Sequence, residues 1–543
     1  MIYLIVLVLA MAVSLAVVPV MVKVAPHLGM LDKPDARKVH ARPIARVGGW
    51  GIVIGALTPV IWLLHDQPLY QAYVLGALVL FLFGVWDDAR QIGHWPKFLG
   101  QILAVGILVF YGGVEVTRLP FLEGPLPPEL GRAFTVVALI GVINALNHSD
   151  GLDGLAGGES LLSLAAMALL CWLAGGGATL VVALATIGGL LGFLRYNTHP
   201  ARVFMGDGGS QFLGYTVGFM AIQLVHVVDP RISPAAVALL LGLPVVDILV
   251  VLKRRIQERR NWFQATRNHV HHRLLDLGFV HQESVVLIYS FQTLVVAAGV
   301  LLRYQPDWLI ALVWLAAMIS VFLPLNLAER LGWRAPRRAT GEGAIQAEVG
   351  RLRRSFLVAM PRRFLEIIVP LYLVLGAALA PTVPKDVGLL GAIVAALFVV
   401  EPVFTRNLHT TLRRIGIYVI LATIVFIPQQ IPQVLQGWRG MLQLAFFGLV
   451  GLAVAIAVRF SPRRRRVEFE STAMDFLMVF LMFVGLVYGY ISGGDPDAAL
   501  FLVKLIVLWY AAELLFIERR ERWNPLTFSA LAASVLLAVR SFY

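Results

Sequence analysis

Apolar runs about as long as a bilayer is thick recur along the whole chain, and they constrain its fold more than any other feature. A helix needs about 20 apolar residues to cross a membrane, and runs of this length can satisfy their backbone groups in lipid only internally. Window length and flanking residues predict about eighteen spans, so we expect an all-α, polytopic transmembrane helical protein. The predicted spans cover residues 2–22, 48–65, 70–86, 98–112, 132–148, 159–175, 178–194, 210–228, 235–252, 284–302, 308–326, 366–382, 387–404, 415–429, 440–458, 474–491, 499–517 and 525–541.

Charge predicts the topology and excludes other classes of protein. The chain is 59% hydrophobic and 14% charged, whereas a soluble protein has roughly 45–50% apolar and about 25% charged residues. The net charge of +13 comes from Lys and Arg in alternate short loops, which indicates cytoplasmic loops and no nucleic-acid partner. The run 1–22 lacks a basic segment before it, so we predict an uncleaved first span with its N-terminus outside. The single Cys171 excludes an internal disulfide.

The polar residues divide the chain into two regions. Predicted cytoplasmic loops before residue 283 are dense in Asp, Asn, His and Gly, whereas those beyond residue 300 carry mostly Arg. We therefore predict a functional region over residues 1–303, with ten spans. Residues 304–543 form an additional transmembrane region of about eight spans, and no motif in it indicates a chemical role.

Asp87 and Asp88 follow the third predicted span. Adjacent carboxylates at a membrane interface repel each other unless a cation or a proton offsets their charge. The pair is therefore either an interfacial stop to a helix or a group that associates with a metal or accepts a proton.

A second motif places four amide or carboxylate side chains three residues apart: Asn144, Asn147, Asp150 and Asp153. At this spacing neighbouring side chains lie close together at a helix end. The glycines among them allow a helix break and close backbone approach. A capping turn uses one Asp at most, so the set indicates ligand binding.

Two further loops contain groups suited to phosphates. Asp207 lies in a Gly-Asp-Gly-Gly run that leaves room for a phosphate or a hydrated cation, although an Asp at a helix start is also favoured by the helix dipole. Arg267, His269 and His271 belong to an Arg-x-His-x-His-His motif whose donors suit a diphosphate. Two alternatives remain for this motif. The histidines could bind zinc, although no cysteine or other residue that would complete a zinc ligand set is nearby. The motif could also form a basic face toward the membrane.

The fifth motif is the basic loop 32–49. Topology alone predicts a basic loop after the first span, so this loop indicates a site only in combination with the other four motifs. All five fall on the predicted cytoplasmic side. Carboxylate and amide oxygens suit Mg²⁺, with Mn²⁺ as an alternative, and Mg²⁺ usually keeps bound phosphate and water. Oxygen ligands surrounded by basic donors at a membrane surface predict a phosphorylated substrate and a lipid-embedded partner.

At these motifs the chain resembles the polyprenyl-phosphate N-acetylhexosamine-1-phosphate transferase superfamily, over residues 1 to about 303. It is most similar to the branch that uses UDP-GlcNAc, through Lys38-Val-His40-Ala-Arg-Pro43, Arg46-Val-Gly-Gly49 and the His-x-His-His loop. The resemblance implies a ten-helix core in the plasma membrane that transfers GlcNAc-1-phosphate from a UDP-sugar to undecaprenyl phosphate on the cytoplasmic side. It also implies the start of a lipid-linked cell-envelope glycan, and it leaves a homodimer open.

The resemblance also implies a role for individual residues. Asp207 and Asn147 would hold Mg²⁺ on the diphosphate. Asp87 or Asp88 would assist the lipid phosphate as nucleophile. The implied substrate-binding residues are Lys97, Asn144, Asp150, Asp153, Arg267, His269 and His271.

A membrane transporter or flippase for a phosphorylated lipid or glycan is the main alternative, because many spans suit one. Transporters usually place ionisable groups near the middle of the membrane, whereas the motifs here lie at one interface. Lys504 and Glu513 share a predicted span and keep this alternative open, although a paired structural role also explains them. A catalytically inactive scaffold is disfavoured by the complete set of motifs.

Overall fold

The computed structural model describes residues 2–32, 43–258, 268–335, 356–401, 406–427, 439–460, 496–518 and 525–542. Contacts divide them into two compact units, the first with the described residues up to 335 and the second with those from 356 onward. The helix Asp307–Arg330 belongs to the first unit. A functional boundary at residue 303 stays a prediction.

The first unit consists almost entirely of helices, and most of them coincide with the apolar runs; α11 instead lies within the polar segment between the predicted spans 235–252 and 284–302. They are α1 (Ile2–Val24), α2 (Gly48–Leu64), α3 (Pro68–Arg90), α4 (His94–Gly106), α5 (Pro128–Ser149), α6 (Leu155–Leu173), α7 (Ala178–Asn197), α8 (Gly206–Gln223), α9 (Ala236–Leu241), α10 (Leu243–Gln257), α11 (Val270–Asp276), α12 (His281–Leu301) and α13 (Asp307–Arg330). Short π-helical segments, Ile107–Tyr111 and Leu224–Val228, extend α4 and α8.

Eight helices among the described residues are long and apolar enough to cross a membrane: α1, α3, α5, α6, α7, α8 with its π-helical extension, α12 and α13. Three shorter apolar helices accompany them, at Gly48–Leu64, Met441–Val454 and Pro525–Arg540. These helices confirm the polytopic all-α class.

Helix α8 lies at the centre of the first unit, with every residue from Gly208 to Gln223 buried. It contacts α3 through glycines: a Cβ atom built on Gly84 would lie 2.4 Å from the Gly208 Cα atom. Small residues allow transmembrane helices to approach until their backbones touch. Because Gly84 is one turn before Asp87 and Asp88, this contact brings both carboxyl groups to the N-terminus of α8.

The predicted span 235–252 is wrong as a single helix. The chain breaks between α9 and α10 at Gly242, whose φ is +67°. A left-handed backbone favours glycine, and the side chain of Gln292 on α12 accepts the Leu243 N–H at 2.8 Å. The break therefore depends on a tertiary hydrogen bond that no local pattern reveals.

A three-stranded sheet, absent from the prediction, joins two distant loops. Strand β2 (Ile44–Arg46) pairs antiparallel with β1 (Leu31–Asp32) and parallel with β3 (Val203–Phe204). Since β3 directly precedes α8, the sheet holds the loop after α1 against the Gly-Asp-Gly-Gly run. Strands of two or three residues give too short a pattern to recognise in a sequence.

The second unit is also helical in its described residues. Its helices are Phe356–Ala378, Lys385–Val400, Arg406–Phe426, Arg439–Phe460, Pro496–Glu518 and Pro525–Arg540. Lys504 donates to Gln443 at 2.7 Å, and Glu513 pairs with Arg414 at 3.1 Å. Both ionisable groups of that span therefore have partners within the unit. The predicted span 474–491 lies outside the described residues.

Candidate active site

Three of the sequence motifs and Lys97 meet at one end of the first unit. Asp87 and Asp88 lie in the last turn of α3, Lys97 in the first turn of α4, Asn147 in the last turn of α5, and Asp207 in the first turn of α8. A chain that crosses back and forth places the end of one helix beside the start of the next. The motifs meet because each occupies a helix end on the same side.

Lys97 joins two of the carboxylates. Its Nζ atom lies 3.1 Å from Asp87 Oδ2 and 2.5 Å from Asp207 Oδ2. The Asn147 amide donates to Asp207 Oδ1 at 3.2 Å and to Ser210 Oγ at 2.8 Å. Two carboxylates thus share one ammonium group, which leaves negative charge that a cation could neutralise.

Asp88 has a different environment from its neighbour Asp87. Its two carboxylate oxygens accept the backbone N–H groups of Asp207 at 2.9 Å and Gly208 at 3.2 Å. A carboxylate at a helix N-terminus satisfies otherwise unpaired N–H donors and interacts favourably with the helix dipole. Asp88 therefore positions the first turn of α8, which carries Asp207, whereas Asp87 faces Lys97.

A layer of amides lies deeper along the same helices. Asn144 donates to Gln101 Oε1 at 2.8 Å, and Gln101 donates to Gln211 Oε1 at 3.2 Å. Sequence reasoning missed Gln101 and Gln211. Each lies four residues, about one helical turn, beyond a site residue, Lys97 or Asp207, and that spacing is a signal that could have found them.

The loop between α5 and α6 holds two carboxylates in opposite electrostatic states. Burial raises the pKa of Asp150 to about 7, and repulsion from Asp207 and Asp153 adds to the increase. Burial is the largest influence on the pKa of Asp153 and acts to raise it, but the contact with His199 Nδ1 at 2.7 Å, the nearby His281 and the Ala201 N–H together outweigh burial, so the pKa is lowered. Asp150 therefore gains a proton near neutral pH, while Asp153 stays ionised.

The histidine motif lies against this same loop. Asp247 on α10 contacts His269 Nδ1 at 2.7 Å and accepts the Val270 N–H at 3.1 Å. The His269 ring stacks on His148 with 5.4 Å between centroids. Sequence reasoning also missed Asp247, although an acidic residue within an apolar run is a functional signal in membrane proteins. Arg267 lies outside the described residues.

His271 packs directly onto the turn after Asp150. A Cβ atom built on Gly151 would lie 2.1 Å from His271 Nε2. Burial lowers the pKa of His271 well below its usual value, and the neighbouring His272 and His269 add to the shift. His271 is therefore a neutral imidazole in contact with the loop of Asp150 and Asp153.

The first basic motif reaches the site through its second half. The Gly49 N–H donates to the Met205 carbonyl at 2.8 Å, and a Cβ atom on Gly49 would lie 2.5 Å from the Gly209 backbone nitrogen. Arg46 pairs with Asp32. Residues 33–42, with Lys38 and His40, lie outside the described residues.

These helices and this cluster define a polytopic membrane protein with a site at one end of its helices, built from carboxylates, amides and basic groups. The sequence profile of glycosyl transferase family 4 matches residues 70–225 of the chain. This range includes Asp87, Asp88, Lys97 and Asp207.

Curated relatives extend the match. The chain is 33% identical over 301 residues to a probable undecaprenyl-phosphate N-acetylglucosaminyl 1-phosphate transferase of Bacillus subtilis, which covers 54% of this chain and 83% of that relative. It is 30% identical over 327 residues to the undecaprenyl-phosphate alpha-N-acetylglucosaminyl 1-phosphate transferase of Salmonella typhi, and 29% over 325 residues to that of Escherichia coli K12. These two matches each cover 58% of this chain and 88% of the relative. The chain belongs to glycosyl transferase family 4.

Proposed function

We propose that the protein transfers GlcNAc-1-phosphate from UDP-GlcNAc to undecaprenyl phosphate at the cytoplasmic face of the plasma membrane, releasing UMP. The observation that carries this proposal is the convergence of Asp87, Lys97, Asn147 and Asp207 at one end of the helices, in a chain whose relatives carry this activity in their names. A transporter would place such groups near mid-membrane, and the comparisons give it no support.

The reaction follows from the substrates. A phosphate oxygen of the lipid attacks the phosphorus atom that bears the sugar, a new P–O bond forms, and the bond to the UMP oxygen breaks. Two anions must approach each other, so charge neutralisation is the main task of the protein. Lys97, held between Asp87 and Asp207, is placed to contact a phosphate.

The donor set fits Mg²⁺. Asp207, Asp87 and Asn147 offer carboxylate and amide oxygens, which are the ligands that this ion prefers, and Lys97 offsets only part of their charge. Asp207 and Asn147, with Asp87 beside them, would hold the ion. When bound, Mg²⁺ supplies positive charge to the diphosphate and to the attacking oxygen.

The surrounding residues would hold the nucleotide and the diphosphate. Asp150 and Asp153 line the loop after α5, and His269 and His271 cover it from the other side. Arg267 is proposed to contact the diphosphate, because a guanidinium presents a fork of donors to phosphate oxygens. Asn144 belongs to the amide layer beneath Asn147 and supports the floor of this site.

The direct test uses purified full-length protein in nanodiscs with undecaprenyl phosphate, Mg²⁺ and a panel of UDP-sugars. We expect UMP release with UDP-GlcNAc, a lipid product heavier by one GlcNAc-phosphate, and loss of both when EDTA is added and Mg²⁺ is withheld. Turnover with another UDP-sugar but not with UDP-GlcNAc would show that the protein transfers that sugar phosphate and not GlcNAc-1-phosphate. Absence of UMP with every donor would reject the transfer reaction.

Replacement of Gly151 tests the contact between the α5–α6 loop and helix α11. In Gly151→Ala the new methyl group meets the His271 ring and pushes α11 away from the loop. A displacement of about 1 Å in an active site can cost about 10²-fold in rate. We expect kcat/KM for UDP-GlcNAc to fall between about tenfold and 10²-fold. Gly141→Ala is the matched control, since a Cβ atom there meets nothing within 4 Å. Equal activities of the two variants would contradict the contact.

Asp150 gives the reaction a pH dependence. Its pKa of about 7 means that the free enzyme carries a neutral carboxyl group at this position below pH 7 and a carboxylate above it. Because the anion is the form that accepts hydrogen bonds and binds cations, kcat/KM is expected to rise with pH through about 7. The inflection should vanish in Asp150→Asn, and Asp153, whose pKa is lowered, contributes none in this range. An unchanged pH profile in Asp150→Asn would exclude Asp150 as its source.

A further inference from the structure

Three potential metal ligands converge beside the loop after α5, apart from the Lys97 cluster. They come from separate segments: Asp153 from the α5–α6 loop, His199 from the chain after α7, and His281 from the first turn of α12. One potential ligand atom of each lies within 4.8 Å of those of the other two. Among the described residues, this is the one group of three or more His, Cys, Asp or Glu side chains whose ligand atoms lie this close together.

The three side chains already lie in contact with one another. His199 Nδ1 lies 2.7 Å from Asp153 Oδ2, and the rings of His199 and His281 stack with centroids 4.2 Å apart. The Ala201 N–H donates to the same carboxylate at 3.0 Å. His281 Nε2 lies 3.4 Å from the Asp153 carbonyl oxygen, so a proton on Nε2 leaves the Nδ1 electron pair available.

We propose that Asp153, His199 and His281 form a binding site for a divalent transition metal of the zinc type. Imidazole nitrogens are poor ligands for Mg²⁺ but suit zinc and its neighbours, and two imidazoles with one carboxylate are a known three-ligand set. The ligand atoms of a tetrahedral zinc lie about 3.4 Å apart, given bonds of about 2.0–2.1 Å. The present ligand atoms lie within 4.8 Å of one another, so rotation of the two imidazole rings out of their stack would bring the three atoms to that spacing around one ion.

The surroundings match those of a metal that keeps an open position. All three residues are partly exposed, which leaves room for water or a ligand as the fourth group. A histidine ligand commonly donates its second ring N–H to a carbonyl or carboxylate, and His281 has such a partner in the Asp153 carbonyl group. The site lies beside the proposed nucleotide loop, but its occupancy does not depend on the transfer reaction.

The test measures metal binding directly. Full-length protein in nanodiscs is stripped of metal, supplied with excess Mg²⁺ and titrated with Co²⁺, whose visible absorption reports a site with nitrogen and oxygen ligands. We expect one Co²⁺ per chain, displaced by Zn²⁺, and an affinity at least about tenfold lower in His199→Gln and His281→Gln. His226→Gln is the matched control: this histidine lies at the opposite end of α8 and contacts Thr117. Its Co²⁺ binding should stay unchanged.

Several results would overturn the site. One is the absence of Co²⁺ absorption in the parent protein. Another is an equal affinity for Co²⁺ in His199→Gln, His281→Gln and His226→Gln. A third is loss of Co²⁺ binding in His272→Gln alone, which would assign the ion to the His-x-His-His motif. Thermal unfolding of each variant checks folding, and Asp153→Asn supplies a third ligand variant if one histidine variant is unstable. Loss of UMP release with Co²⁺ binding intact would count against the transfer proposal, not against this site.

Discussion

An Asp207→Asn variant is expected to turn over at least about 10²-fold more slowly than the parent protein, the cost seen when one electrostatic stabiliser is lost. The Asp207 carboxylate accepts hydrogen bonds from both the Lys97 ammonium group and the Asn147 amide. The substitution therefore removes the negative charge at the centre of the cluster. The concentration of Mg²⁺ needed for half-maximal rate should rise as well. UMP release across a series of Mg²⁺ concentrations measures both effects.

Asp229→Asn is the control for this substitution. Asp229 follows the π-helical extension of α8, at the opposite end from Asp207, and pairs with Arg231. The variant loses one carboxylate beyond the far end of the same helix, where Asp229 is buried and also accepts from the Tyr304 hydroxyl at 2.6 Å. Because this carboxylate does not contact the site, turnover of the folded variant should stay close to that of the parent protein. Near-normal turnover of Asp207→Asn would remove Asp207 from the mechanism.

A Lys97→Met variant is expected to lose about 10²- to 10³-fold in kcat, since the ammonium is the cation nearest to the two carboxylates and is placed to contact a phosphate. The same variant should need less Mg²⁺ for half-maximal rate. In the parent protein the ammonium competes with the ion for Asp87 and Asp207, and the thioether of Met does not. Opposite changes in kcat and in the Mg²⁺ requirement distinguish this arrangement from a general loss of folding.

Lys253→Met serves as the comparison, because this lysine is exposed on α10 and its loss removes one ammonium group outside the cluster. Unchanged kcat in Lys97→Met would show that the lysine has no role in transfer. A higher Mg²⁺ requirement would show that Lys97 does not compete with the ion.

The meeting of the site residues was predictable because it follows from topology. Positive loops indicated which helix ends share a side, and this placed Asp87, Asn147, Asp150 and Asp207 together before any contact was known. The distinct environments of Asp87 and Asp88 were not predictable. They depend on which carboxyl group faces the α8 N-terminus, and adjacent residues on a helix differ in direction by about 100°.

Features that depend on pairing between distant segments also escaped prediction. The break at Gly242 requires the Gln292 side chain, 50 residues further along the chain. The small sheet pairs Ala45 with Val203, and Asp247 joins His269 across a loop. A hydrophobic pattern reports which face of one segment is buried, but not which polar side chain a neighbouring segment presents to it.

The contact between Gly84 and Gly208 has a consequence for how the protein responds to its lipid. Bilayers differ in thickness, and helices commonly accommodate the difference by tilting. If α3 and α8 change their crossing angle, the point where their backbones touch moves least, and Asp87 and Asp207 lie within one turn of it. Tilting should therefore displace the far ends of both helices while the acidic groups keep their separation in thin and thick membranes alike.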